Sequence, residues 1–122
     1  MSLQADVLIF EDDPEMGSLA ETLVRHLGYS CKRFLDGKRA IELAKESTPK
    51  LIILDIMMPG MDGLELCRRL KADAATRPIK VLIASAKPAQ GERSRAEQAG
   101  ADAFIEKPYQ VDRLQQLVQQ MG

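Results

Sequence analysis

At 122 residues, 45% of them hydrophobic, the chain has the usual size of one domain and can bury a core without disulfides or a structural metal. Seventeen basic side chains against eighteen acidic ones exclude a disordered charged tail and a surface built to coat nucleic acid. No apolar run approaches the roughly 20 residues of a membrane span and no leader precedes the first strand, so the expectation is a cytoplasmic protein without membrane or nucleic-acid contacts of its own.

The first predicted element is the run Val7, Leu8, Ile9 and Phe10, which has the continuous apolar character of a strand covered on both faces. Met16, Leu19, Ala20, Leu23, Val24 and Leu27 then recur at steps of three and four, laying one apolar stripe along a helix that Gly28 stops. Residues 30–34 alternate more and predict a flanking strand. Ala40, Ile41 and Ala44 mark a second helix, residues 51–54 a second central strand, and Leu64, Cys67 and Leu70 a third helix. Residues 81–84 form another central strand. The stretch 89–98 is a weak helix with Ala96 and Ala99 as its buried side; Gly91 lowers its helix propensity, so it is expected to be the most mobile helix. A brief strand at 103–105 and a last stripe of Val111, Leu114, Leu117 and Val118 complete the pattern. Strands alternating with helices predict an α/β doubly wound parallel sheet of five strands and five helices, in a single domain spanning 1–122. Cys31 and Cys67 fall on different elements and match no zinc or redox spacing, so both are expected to be reduced core residues.

In such a sheet the functional crevice lies beyond the carboxyl ends of the strands. The residues there are Glu11, Asp12 and Asp13 after the first strand, Asp55 after the third, Ser85 after the fourth, and Lys107 with Pro108 after the fifth. Taken singly, each acid reads as a helix cap or a solvated loop residue. Together they imply several carboxylates in one pocket, which must be protonated or neutralised by a cation. A few oxygen ligands completed by water suit magnesium better than calcium. Beside such an ion a strand-end aspartate can attack phosphorus, with Lys107 as a fixed positive charge and Ser85 as a hydroxyl donor toward the phosphoryl oxygens.

The segments VLIFEDDPEM, LIILDIMMPGMDG, VLIASAKP and AGADAFIEKPY resemble, in order and spacing, the receiver domain of two-component response regulators, and the likeness covers nearly the whole chain. That resemblance implies a flavodoxin-like fold with strand order 2-1-3-4-5. It implies that Asp55 is the phosphoacceptor, that Asp12 and Asp55 bind Mg2+ directly with the backbone carbonyl of Met57, and that Glu11 acts through a water. It further makes Ser85 and Phe104 the switch pair and Lys107 the paired lysine, joined to Pro108 by a cis bond. A sensor histidine kinase or phosphotransfer protein would donate the phosphoryl group. The readout would pass through the fourth helix, fifth strand and fifth helix to a downstream protein or a second copy. No output domain is expected in this chain, and no enzymatic activity beyond its own phosphoryl transfer and dephosphorylation.

Two rivals are distinguished by residues. A receiver-like binding module that works without phosphorylation would lack the acid pair, Asp55 or Lys107. A haloacid-dehalogenase-type phosphatase would carry an aspartate two residues after its nucleophile, where this chain has Met57. Phe104 also reads as plain core, and Met57, Met58 and Met61 as either a docking surface or the loop shaped by Pro59 and Gly60. His26, the single histidine, lies at a helix end far from the strand ends and has no relay role. Asp13 with Pro14 is expected to cap the first helix. Met57 and Lys87 stand where the family tunes phosphate lifetime, and the apolar Met57 implies a phosphorylated state that is not especially short-lived.

Overall fold

The computed structural model describes residues 4–58, 61–86 and 90–122. Among them, strands β1 (Val7–Phe10), β2 (Cys31–Phe34), β3 (Leu51–Asp55), β4 (Lys80–Ser85) and β5 (Ala103–Glu106) form one sheet in the order β2-β1-β3-β4-β5. Every neighbouring pair is parallel. Between and after them run α1 (Pro14–His26), α2 (Ala40–Ser47), α3 (Gly63–Ala72), α4 (Glu92–Gln98) and α5 (Val111–Met121). The order is the one the resemblance implied, and the two weaker apolar runs are indeed the edge strands.

The period-2 alternation of a strand explains why the central runs are apolar throughout. Leu8, Phe10, Ile52, Leu54, Val81 and Ile83 point to one face, where they pack with Ala40, Leu43 and Ala44 of α2, Leu66, Cys67 and Leu70 of α3, and Ala96 of α4. Val7, Ile9, Leu51, Ile53, Leu82 and Ala84 point to the other, against Ala20, Leu23 and Val24 of α1 and Leu114, Leu117 and Val118 of α5. Both cysteines are free and buried, Cys31 in the α1/α5 layer and Cys67 in the α2–α4 layer.

Several sequence expectations shift in detail. Val111 is the first residue of α5 and is exposed, and only Leu114, Leu117 and Val118 of that stripe reach the core. In α2 and α3, Ala40, Ala44, Cys67 and Leu70 are buried as expected and Leu43 and Leu66 join them, whereas Ile41 and Leu64 are only half-buried. Gly91 does not weaken α4 from within: it is the N-cap, with φ of +80°, a left-handed conformation that glycine adopts without a Cβ clash. The chain after Asp55 is a two-residue antiparallel ribbon, Met57–Met58 against Met61–Asp62. Pro59, Gly60 and Lys87 lie outside the described residues. No described helix is long and apolar enough to cross a membrane.

Candidate functional site

The parallel register brings the carboxyl ends of β1, β3, β4 and β5 to one edge of the sheet. Phe10 pairs with Leu54, so Glu11 and Asp12 leave β1 beside Asp55, the last residue of β3. Asp55 pairs with Ala84 and Ser85 with Glu106, which sets Ser85 one step beyond the acid and Lys107 one step beyond β5. The Lys107 backbone N–H donates to the Ser85 carbonyl at 2.8 Å, fixing the two strand ends together. The Lys107–Pro108 bond is cis, as the resemblance implied.

Lys107 spans the pocket. Its Nζ donates to Glu11 Oε1 at 2.7 Å and to Asp55 Oδ2 at 2.9 Å, with all three side chains almost wholly buried. Burial alone would lower the lysine's affinity for its proton, but the hydrogen bonds and charges of the two carboxylates outweigh it and hold the ammonium above its ordinary range. Glu11 goes the other way from a usual ion-paired acid. Burial, reinforced by the neighbouring Asp55 carboxylate, exceeds the help from Lys107 and pushes it up to about 7. Two buried carboxylates thus share one ammonium, and the pocket has negative charge to spare.

Asp12 supplies a third carboxylate. One oxygen each from Glu11, Asp12 and Asp55 lies within 4.8 Å of the others, with Asp12 exposed and the other two buried. This all-oxygen set, open to solvent on the Asp12 side, suits a hard divalent cation that keeps part of its water shell. Asp13 is committed elsewhere: its Oδ1 accepts the backbone N–H of Glu15 at 2.9 Å and of Met16 at 3.1 Å, capping α1 ahead of Pro14. The Met57 N–H donates to Asp55 Oδ1 at 3.2 Å, and its side chain is 80% exposed. His26 is exposed at the far end of α1.

Ser85 is buried at the site edge, and Phe104 is buried in the α2–α4 layer with the Arg93 guanidinium 5.2 Å above its ring. Two features escaped the sequence reading. One is the direct Glu11–Lys107 pair, which spacing cannot reveal across 96 residues. The other is Tyr109, buried in the α1/α5 layer with a hydroxyl that has no hydrogen-bond partner among the described residues. The only trace of it was the tyrosine closing the motif EKPY.

Comparison with known proteins agrees with this geometry. Residues 7–119 match the family described as the response regulator receiver domain. The polar-differentiation response regulator DivK of Brucella anthropi is 37% identical over 107 residues, covering 88% of this chain and 87% of DivK. The response regulator PleD of Caulobacter vibrioides is 36% identical over 106 residues, 87% of this chain but 23% of PleD, so the chain spans about a quarter of that relative's length. Among solved structures, the receiver domain of a sensor histidine kinase from Pseudomonas aeruginosa superposes with a TM-score of 0.84 at 28% identity, over 97% of each chain. That structure has a magnesium ion coordinated in its active site cleft.

Proposed function

The chain belongs to the response regulator receiver domain family, and from that premise we propose that Asp55 accepts a phosphoryl group in a magnesium-dependent transfer that switches a docking surface. The observation that carries the reading is the ammonium of Lys107, held between Glu11 and Asp55 with the Asp12 carboxylate beside them. Asp12 and Asp55 would hold Mg2+ directly, with the Met57 carbonyl as a further ligand and Glu11 acting through a water. When bound, the ion supplies charge that offsets the crowded carboxylates and the transferring phosphoryl oxygens.

The chain's own groups do the rest. An Asp55 oxygen attacks phosphorus as the phosphorus–nitrogen bond of a donor phosphohistidine breaks, and the imidazole leaves with that electron pair. Lys107, already turned toward the attacking carboxylate, meets charge on the phosphoryl oxygens without reorganising. Ser85 donates its hydroxyl to the same group, and its movement is passed to Phe104 on the neighbouring strand β5. Phosphorylation then biases the surface of α4, β5 and α5, where a groove of about 320 Å³ is lined by Arg93, Ala96, Phe104, Arg113 and Leu117. A sensor histidine kinase or phosphotransfer protein is the donor in this reading, and a downstream protein or a second copy is the reader. The chain acts as one domain and turns over no substrate other than its own phosphoryl group.

Incubation with a small phosphodonor such as acetyl phosphate and magnesium should add the mass of one phosphoryl group. The gain should disappear with a chelator and in Asp55→Ala. A protein that stays unmodified, or one modified equally well in Asp55→Ala, would overturn the assignment and leave a binding module that works without phosphate.

A further inference from the structure

The face proposed above for readout has a definite pattern of charge. β5 has a strand neighbour on one side only, β4, so its other edge lies open between α4 and α5. The groove of about 320 Å³ adjoins a second cavity of about 350 Å³, whose lining includes Glu106, Pro108 and Gln110. Arg93 of α4, Phe104 of β5 and Arg113 of α5 line both and so stand at the middle. Glu97 lines only the first cavity and Glu106 only the second.

The central arginines are short of partners. Arg93 is exposed, and its guanidinium sits 5.2 Å above the ring of the buried Phe104. Arg113 is exposed too, and donates to the side-chain oxygen of Gln116 at 3.3 Å. Among the described residues neither arginine pairs with a carboxylate, and neither Glu97 nor Glu106 with a cation. The other charges along the groove are taken: Asp102 by Lys71 at 2.9 Å and Lys80 at 3.8 Å, Lys107 by Glu11 and Asp55. Two uncommitted cations thus occupy the centre, with one uncommitted acid in each cavity. A planar guanidinium presents paired donors that match a carboxylate, and one stacked on a ring is already partly ordered, so less freedom is lost on binding.

We propose that this groove docks an acidic segment of a partner protein, whose carboxylates are taken by Arg93 and Arg113 beside Phe104. The inference rests on the reading of α4, β5 and α5 as the readout face and supplies the chemistry of the reader. A second copy fits less well. A two-fold contact centred on the groove meets the same patch in its mate, which sets arginine against arginine whichever way the axis runs. Glu97 and Glu106 repel a long acidic run, so the fitting segment has its acids at the centre and neutral or basic ends. Because Arg93 rests on the Phe104 ring, a turn of that ring on phosphorylation shifts one of the two donors, and affinity for the segment changes with it.

The probe is a short fluorescein-labelled peptide with two central glutamates between leucines and a lysine at each end; its twin carries glutamines in place of the glutamates. Anisotropy titration with the whole chain should show the acidic peptide bound about fivefold more tightly, the equivalent of exposed charge pairs. That preference should shrink with added salt and vanish in the double variant Arg93→Gln, Arg113→Gln. The double variant should keep the parent's urea midpoint and its modification by acetyl phosphate, since both arginines are exposed and neither belongs to the acid site. Equal affinity for the two peptides, binding of neither, or a preference that survives in the double variant would overturn the inference. So would a parent that sediments as a dimer and turns monomeric in the double variant, which makes a second copy the occupant. A preference that is present but the same with and without acetyl phosphate and magnesium upholds the partner's chemistry and counts instead against phosphorylation as the switch of this face.

Discussion

At the scale of single residues, the central fact is that Glu11 and Asp55 are both buried and share the charge of Lys107. Ionising Glu11 in the fold is harder than in the unfolded chain, where the carboxyl has its ordinary value near 4.5. Its folded value, about 7, is raised. A raised acid contributes stability that is fully present below the unfolded value and lost as pH climbs through the folded one. In chelator, the stability of the parent relative to Glu11→Gln, whose amide cannot ionise, should therefore fall between about pH 4.5 and about pH 7 and level off above. Magnesium should reduce this slope, since a cation favours the charged carboxylate. Urea midpoints of both proteins across that range are the measurement. A difference that stays constant with pH would mean that the Glu11 carboxyl is no harder to ionise in the fold than out of it.

Elements hold these residues in place through a few close backbone contacts. Gly63 opens α3 directly beneath the turn that follows Asp55. A Cβ built there would lie 2.7 Å from Ile56 Cα and 3.0 Å from the Asp55 carbonyl oxygen, both of them backbone atoms that cannot swing aside. The Gly63 N–H also donates to the Ile56 carbonyl at 3.2 Å, and Asp62 caps the helix by accepting from Leu64 N at 3.0 Å. The helix start is thus pressed against the segment that presents the proposed phosphoacceptor. Gly63→Ala should cost about 1–3 kcal/mol of stability, the usual range for overpacking, and should slow modification of Asp55 by a small phosphodonor. Full stability in urea for Gly63→Ala would show that the contact relaxes freely. By contrast Gly28, with φ of +94° and open space around it, matters for its conformation alone.

Over the whole molecule, the sequence disclosed what depends on local pattern and hid what depends on distance. Unbroken apolar runs at 7–10, 51–54 and 81–84 made central strands readable, and acids and a lysine at strand ends marked the crevice. The Asp13 cap was readable from its place before Pro14. Hidden were the Glu11–Lys107 contact, the orphan hydroxyl of Tyr109 and the stacking of Arg93 on Phe104, because each joins chain segments whose approach only the packed layers define. Helical periodicity likewise placed Val111 in a stripe without showing that it stays exposed at the start of α5. The same two-layer packing has a consequence for unfolding. Cys31 lies in the α1/α5 layer and Cys67 in the α2–α4 layer, so the two thiols report on opposite faces of one sheet. Burial raises both, Cys67 to about 11, which leaves little thiolate in the fold at neutral pH. Because every central strand contributes side chains to both layers, neither layer can open while the other remains packed. The two cysteines should therefore be alkylated at the same rate in moderate urea, with protection that tracks the global unfolding free energy. Mass spectrometry of partially labelled protein is the check: Cys31 modified well ahead of Cys67, or the reverse, would show that the layers come apart separately and that the domain is not one cooperative unit.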